Sequence, residues 1–136
     1  MSLQVNETKP FTFFESNGVT LNNYSDNDVV ITSDQIPNNH IGRLTDVNTI
    51  FTTSGGTLAF EKVSRSGGVT RWASAVTSNS NGSFDLMLMP GDKLRIVITS
   101  SGNGVIDILW HGELQRQKED DDRDVFIQTD EFGSDL

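Results

Sequence analysis

The chain has no cysteine. Disulfide staples, thiolate zinc centres and a cysteine nucleophile are thereby excluded, and the redox compartment is left open. Histidine is nearly as scarce, with His40 and His111 alone, and proline occurs three times. No apolar run approaches the roughly 20 residues that a membrane-spanning helix needs. The opening stretch MSLQVNETKPFTFF has no basic segment followed by an apolar one, so a secretory signal is not expected. Basic residues are in deficit, ten Lys and Arg against nineteen Asp and Glu, for a net charge of −9. A chain so charged is a poor general binder of nucleic-acid phosphate, which requires a basic footprint, and the charge favours solubility.

What the chain does have is small and polar. Serine, threonine, asparagine and glycine make up more than a third of its 136 residues, while good helix formers are thin in the middle. That balance suits short strands joined by many turns. A length of 136 residues is enough for one domain with a core of its own.

The clearest pattern lies in residues 83–110. Phe84, Leu86 and Leu88 alternate with Asp85, Met87 and Met89; after Pro90-Gly91-Asp92, Leu94, Ile96 and Ile98 take one face and Lys93, Arg95, Val97 and Thr99 the other. Gly102-Asn103-Gly104 then precedes a third apolar run ending at Trp110. Period-two alternation broken by such turns predicts strands with one buried face. Further short strands are expected over residues 19–22, 28–32, 40–44, 48–53, 57–63 and 69–76. Eight to ten strands at this spacing predict an all-β, antiparallel two-sheet sandwich, jelly-roll-like, whose strand order the pattern does not specify. The expected division is an N-terminal arm at 1–15, the sandwich at 16–112 and an acidic C-terminal tail at 113–136.

Both termini invite a contact role. Phe11, Phe13 and Phe14 form an aromatic cluster that either closes a sheet edge or docks on a neighbouring subunit. The segment 113–136 carries nine acidic residues against three basic ones, interrupted by the apolar patch Val125-Phe126-Ile127. A charged run is normally solvated, but three consecutive apolar residues suit a strand that pairs with its own domain or another chain.

The sequence offers little chemistry. Gly-x-Ser-x-Gly, His-Glu-x-x-His, the phosphate-binding Gly-x-x-x-x-Gly-Lys and the dinucleotide fingerprint are all absent. The Asp26-Asn27-Asp28 loop lacks the glycine and glutamate that an EF-hand requires in register. His111 sits beside Trp110 at a strand end, where a structural histidine is the commoner case. Asp85 and Asp107 fall opposite apolar faces and Asp92 in a turn, which suits solvent exposure and local backbone bonding better than paired acid catalysis. No catalytic residue, metal or cofactor is assigned, and the protein is not expected to be an enzyme. Trp110 belongs with Ile106 and Ile108 in the core, whereas Trp72, with Tyr24, is the candidate for an exposed aromatic surface that stacks on a glycan. The three Asn-x-Ser/Thr triplets are read as chance in a composition this rich in those residues.

In overall build, a cysteine-free β domain from Phe11 to Trp110 flanked by terminal arms resembles the small accessory virion proteins of tailed bacteriophages, of the capsid decoration or cement type. The resemblance implies a β-sandwich that self-associates, as a trimer, and sits on a shell made by another protein. Its partner-binding residues would be Phe11, Phe13 and Phe14 with Val125, Phe126 and Ile127, engaging neither nucleic acid nor membrane. Synthesis in a host cytoplasm and residence in the virion would follow. The alternative is a carbohydrate-binding module or receptor-binding tip that uses Trp72 and Tyr24.

Overall fold

The computed structural model describes residues 8–117. Eight strands follow one another: β1 (Thr8–Thr20), β2 (Val29–Thr32), β3 (His40–Thr53), β4 (Thr57–Val63), β5 (Val69–Val76), β6 (Ser80–Leu88), β7 (Lys93–Ser100) and β8 (Val105–Arg116). A single 3-10 turn, Leu21–Asn23, links the first two. One sheet has the order β1-β8-β3-β6 and the other β2-β7-β4-β5, with every pairing antiparallel. Strand β4 pairs with β5, β3 with β6, β2 with β7 and β1 with β8. The chain is thus a long hairpin folded at its middle and rolled into two sheets, as the expected jelly roll requires.

The alternation seen in the sequence becomes the core. Leu94, Ile96 and Ile98 from β7, with Leu58 and Phe60 beside them on β4, share one core cluster with Ile106, Ile108 and Trp110 from β8 in the other sheet. Full burial of an aliphatic side chain of this size contributes about 1.5–3 kcal/mol, so these central strands carry most of the stabilisation. Trp110 is the largest of the fully buried side chains, and its indole N–H donates to Thr49 Oγ1 at 3.0 Å. That bond removes the cost of hiding a donor in an apolar interior.

Three departures from simple alternation matter for the candidate sites. Residues 40–53 form one strand instead of two, because an irregularity between Leu44 and Asp46 shifts the register without ending the pairing. On β6, Phe84 lies beside that irregularity at a sheet edge and stays 40% exposed, although the alternation groups it with buried Leu88. The turn after β6 uses Gly91 at φ +87, a conformation that favours glycine, and Asp92 is buried there, its carboxylate accepting from Met89 N at 2.8 Å.

Strands also reach into the regions expected to be arms. β1 begins at Thr8, and β8 continues past Gly112 to Arg116, so Thr8 pairs with Gln115 inside the sheet. Leu114 is buried.

Candidate interaction surfaces

The aromatic cluster of β1 is divided by the fold. An irregularity between Thr12 and Phe14 lets the adjacent Phe13 and Phe14 both turn inward, and both are buried. Phe14 packs on Trp110 with ring centroids 4.9 Å apart. Phe13 lies against Gly112, where a Cβ would come within 2.7 Å of its ring. Of the three expected contact residues, two are therefore core residues, since their apolar surface is already removed from water within the protein itself. Phe11 is half-buried, edge-on to Phe13 at 4.8 Å. Val125, Phe126 and Ile127 lie outside the described residues.

Trp72 and Tyr24 do not form one platform. Trp72 is on β5 and Tyr24 lies just before β2, and those strands are opposite edges of the same sheet. Both are half-buried and packed on the core. Trp72 is surrounded by rings, with Phe60 at 5.3 Å, Trp110 at 5.5 Å and Phe84 at 4.8 Å, the last inclined by 32°. A sugar needs a free aromatic face, and Phe84 already covers one here. Its indole nitrogen is buried with no hydrogen-bond partner among the described residues. A cleft of about 210 Å³ opens beside it between the free edges of β5 and β6, walled by Trp72, Phe84 and Phe60 and rimmed by Ser80, Asn81 and Ser83.

The residues tested for catalysis do not converge. Asp85 pairs with Arg43 at 3.2 Å, Asp107 accepts from Gly18 N at 2.8 Å, and Asp92 caps its turn. His40 Nδ1 donates to the Asn38 carbonyl at 2.9 Å, which fixes the ring at the start of β3. His111 is exposed on β8 opposite Asp46, and no hydrogen bond holds its ring among the described residues. In the loop before β2, Asp26 accepts from Ser101 N at 2.7 Å and Asp28 from Ser25 N at 2.8 Å. These carboxylates shape the loop through local bonds. Among the described residues no cluster of three or more His, Asp or Glu is placed to hold a metal, and no helix is long and apolar enough to cross a membrane.

The strongest electrostatic feature was not singled out in the sequence. Glu61, on the outward face of β4, is buried between two arginines on the neighbouring strands. Its Oε1 accepts from Arg95 Nε at 2.7 Å, and its Oε2 from Arg71 Nε at 2.9 Å and Nη2 at 2.8 Å. Burial pushes the carboxyl pKa up, but the hydrogen bonds from Arg95 and Arg71, with their positive charge, outweigh it and hold the group below its usual value. The pairing register alone brings the three together, Glu61 standing opposite both Arg71 and Arg95.

No protein-family model matches the chain, and no curated protein matches it. Among solved structures, a chain in the structure of infectious bursal disease virus, Gx strain, is similar with a TM-score of 0.50 and 9% sequence identity. The match covers 85% of this chain and 34% of that one, so this protein spans about a third of its neighbour's length. At that identity the likeness is one of fold: two antiparallel four-stranded sheets packed as a sandwich, of a kind present in a virus particle.

Proposed function

We propose that the protein is a non-enzymatic structural component of a virus particle. The observation that carries this reading is the rolled two-sheet topology together with its similarity to a chain of a virus structure. In its finer form, the protein decorates or stabilises a shell built by another protein and resides in the virion. It self-associates, and its terminal segments grip the neighbours. A partner that binds only the assembled shell stabilises it by mass action.

Phe13 and Phe14 are committed to the core, which leaves Phe11 and the patch Val125, Phe126 and Ile127 as contact residues. Light scattering on the full chain across a wide concentration range tests self-association, with a stable oligomer as the expected result. The V125S/F126S/I127S variant should lose that oligomer while keeping the parent's unfolding transition. A full chain that stays monomeric throughout, or a variant that assembles unchanged, would sink the proposal as stated.

A further inference from the structure

Three asparagines are followed directly by glycine: Asn17, Asn81 and Asn103. In such a pair the glycine nitrogen can attack the asparagine side-chain carbonyl, because the glycine has no Cβ to obstruct the approach. The sequence makes the three pairs equivalent, and the fold does not.

Closing the five-membered imide swings the asparagine ψ far from the extended value that a strand holds. It also takes the glycine N–H out of its hydrogen bond. Asn81 and Gly82 lie inside the β3–β6 ladder, opposite Asn48 and Val47, and the register runs unbroken there from Asp46 and Ser83 to Thr49 and Ser80. Asn103 is exposed, but Gly104 is buried, and its N–H donates to the Gly55 carbonyl at 2.8 Å. Ring closure at either pair therefore breaks backbone pairing.

Asn17 and Gly18 stand apart. The β1–β8 register passes from Ser16 and Ile108 to Val19 and Ile106, so two residues of β1 face Asp107 alone. Both are exposed, Gly18 has a φ of +69, and a Cβ built on it would meet no atom within 4 Å. The Gly18 N–H donates to Asp107 Oδ1 at 2.8 Å. That acceptor is a side chain, so the bond can be given up without opening the ladder. β1 is moreover an edge strand of its sheet.

We infer that Asn17 is a modification site, converted selectively into aspartate and isoaspartate. The Gly18 nitrogen bonds to Asn17 Cγ, the Cγ–Nδ2 bond breaks, and the proton of the Gly18 nitrogen leaves with Nδ2 as ammonia. Water then opens the imide. Cleavage of the new Cγ–N bond yields aspartate, and cleavage of the original peptide bond yields isoaspartate, with the chain running through Cγ. Water is the sole co-reactant.

The new carboxylate lies far from any offsetting charge. Every lysine and arginine among the described residues is toward the other end of the sandwich, where β1, β3, β5 and β7 begin and β4 and β8 end. In the first sheet Lys9 is second in β1, Arg43 fourth in β3 and Arg116 last in β8. The five others lie around the β4–β5 turn, from Lys62 to Arg71, or at the start of β7. Through the covalent path from Asn17 Cγ to the Gly18 nitrogen, the new charge falls within about 7 Å of the Asp107 carboxylate. Like charges at that separation repel, and salt weakens the repulsion.

The test is incubation of the full-length protein at mildly alkaline pH, folded and in denaturing urea. Peptide mass spectrometry follows each site by the mass gained when an amide NH2 becomes a hydroxyl. In the folded protein Asn17 should convert at least about tenfold faster than Asn81 and Asn103, the factor of about 1.4 kcal/mol that one retained backbone hydrogen bond supplies. In urea the three rates should converge. The Asn17→Asp variant of the full chain should unfold at a lower urea concentration than the parent, by a margin that shrinks as NaCl is raised. Equal rates in the folded protein, a lead by Asn81 or Asn103, or the same ranking in urea as in the fold would overturn the inference. A variant as stable as the parent at low salt would overturn its charge consequence.

Discussion

Replacing Glu61 by glutamine removes one charge and almost no volume, so it isolates the electrostatics of the β4 surface. The carboxylate side chain is 5% exposed and accepts three hydrogen bonds from Arg95 and Arg71. Hydrogen bonds to charged groups contribute about 1.5–3 kcal/mol each in net terms, and breaking a fully buried ion pair costs about 3–5 kcal/mol. The two guanidinium side chains keep 28% and 43% of their exposure, so both can rehydrate once their partner is lost. The cost is therefore placed below the buried-pair range, at about 2 kcal/mol for Glu61→Gln and about 3 kcal/mol for Glu61→Ala. For a domain of this size the glutamine variant should melt roughly 8 °C lower. Urea unfolding followed by tryptophan fluorescence suits the measurement, because Trp72 and Trp110 share one ring cluster. The pH dependence provides a second check. The folded-state pKa of Glu61 is lowered, so its stabilisation is present above the unfolded-state pKa and lost as pH falls through the folded one. The gap between parent and Glu61→Gln should hold from neutrality to about pH 5 and close in more acid solution. A gap that persists unchanged to strong acid, or a cost below about 0.5 kcal/mol at neutral pH, would refute the reasoning.

Other substitutions test the packing that positions the candidate surfaces. Gly112→Ala would drive a Cβ into the Arg43 carbonyl oxygen and to within 2.7 Å of the Phe13 ring. A loss of more than about 3 kcal/mol is expected in urea titration, and a neutral result would mean that β3 and β8 are not so closely apposed. Thr49→Val leaves the Trp110 indole N–H unpaired in the core and should cost about 1–3 kcal/mol, whereas Thr49→Ser keeps the acceptor and should restore most of that bond. Phe14→Ala should cost about 3–5 kcal/mol in thermal or urea unfolding, marking it as a core residue; little change would return it to the list of contact residues.

The sequence displays the strands best where one face is wholly apolar and the register is regular. Leu94, Ile96 and Ile98 read as a buried stripe, and so they are. It is least legible where an irregularity resets the parity. Alternation sends Phe13 and Phe14 to opposite faces, yet the shift between Thr12 and Phe14 turns both inward. The same effect near Thr45 made β3 look like two strands and left Phe84 at an exposed edge. Strand order was hidden for a different reason. The pairing of β1 with β8 joins residues about a hundred positions apart, and a local pattern holds no information on that. The Glu61 cluster has the same origin, because Arg71 and Arg95 reach it only through two cross-strand registers.

Long-range pairing also decides where the terminal segments can act. Because β1 starts opposite the end of β8, the chain on either side of residues 8–117 departs from one end of the sandwich. Thr8 and Gln117, where the described residues begin and end, therefore lie at the end that holds all the described cations, opposite the end with Asp26, Asp28 and Asp107. Whatever grips a neighbour through the termini must accommodate that field. A bare cationic end would attract polyanions without regard to identity, since such attraction is long-ranged and depends little on fit. Under the proposed assembly role, contact through Val125, Phe126 and Ile127 would instead depend on shape and desolvation for its affinity. Charge at the cationic end would then govern how fast a partner arrives, and the apolar patch which partner stays. The two contributions separate experimentally, since salt should change the first and leave the second nearly untouched.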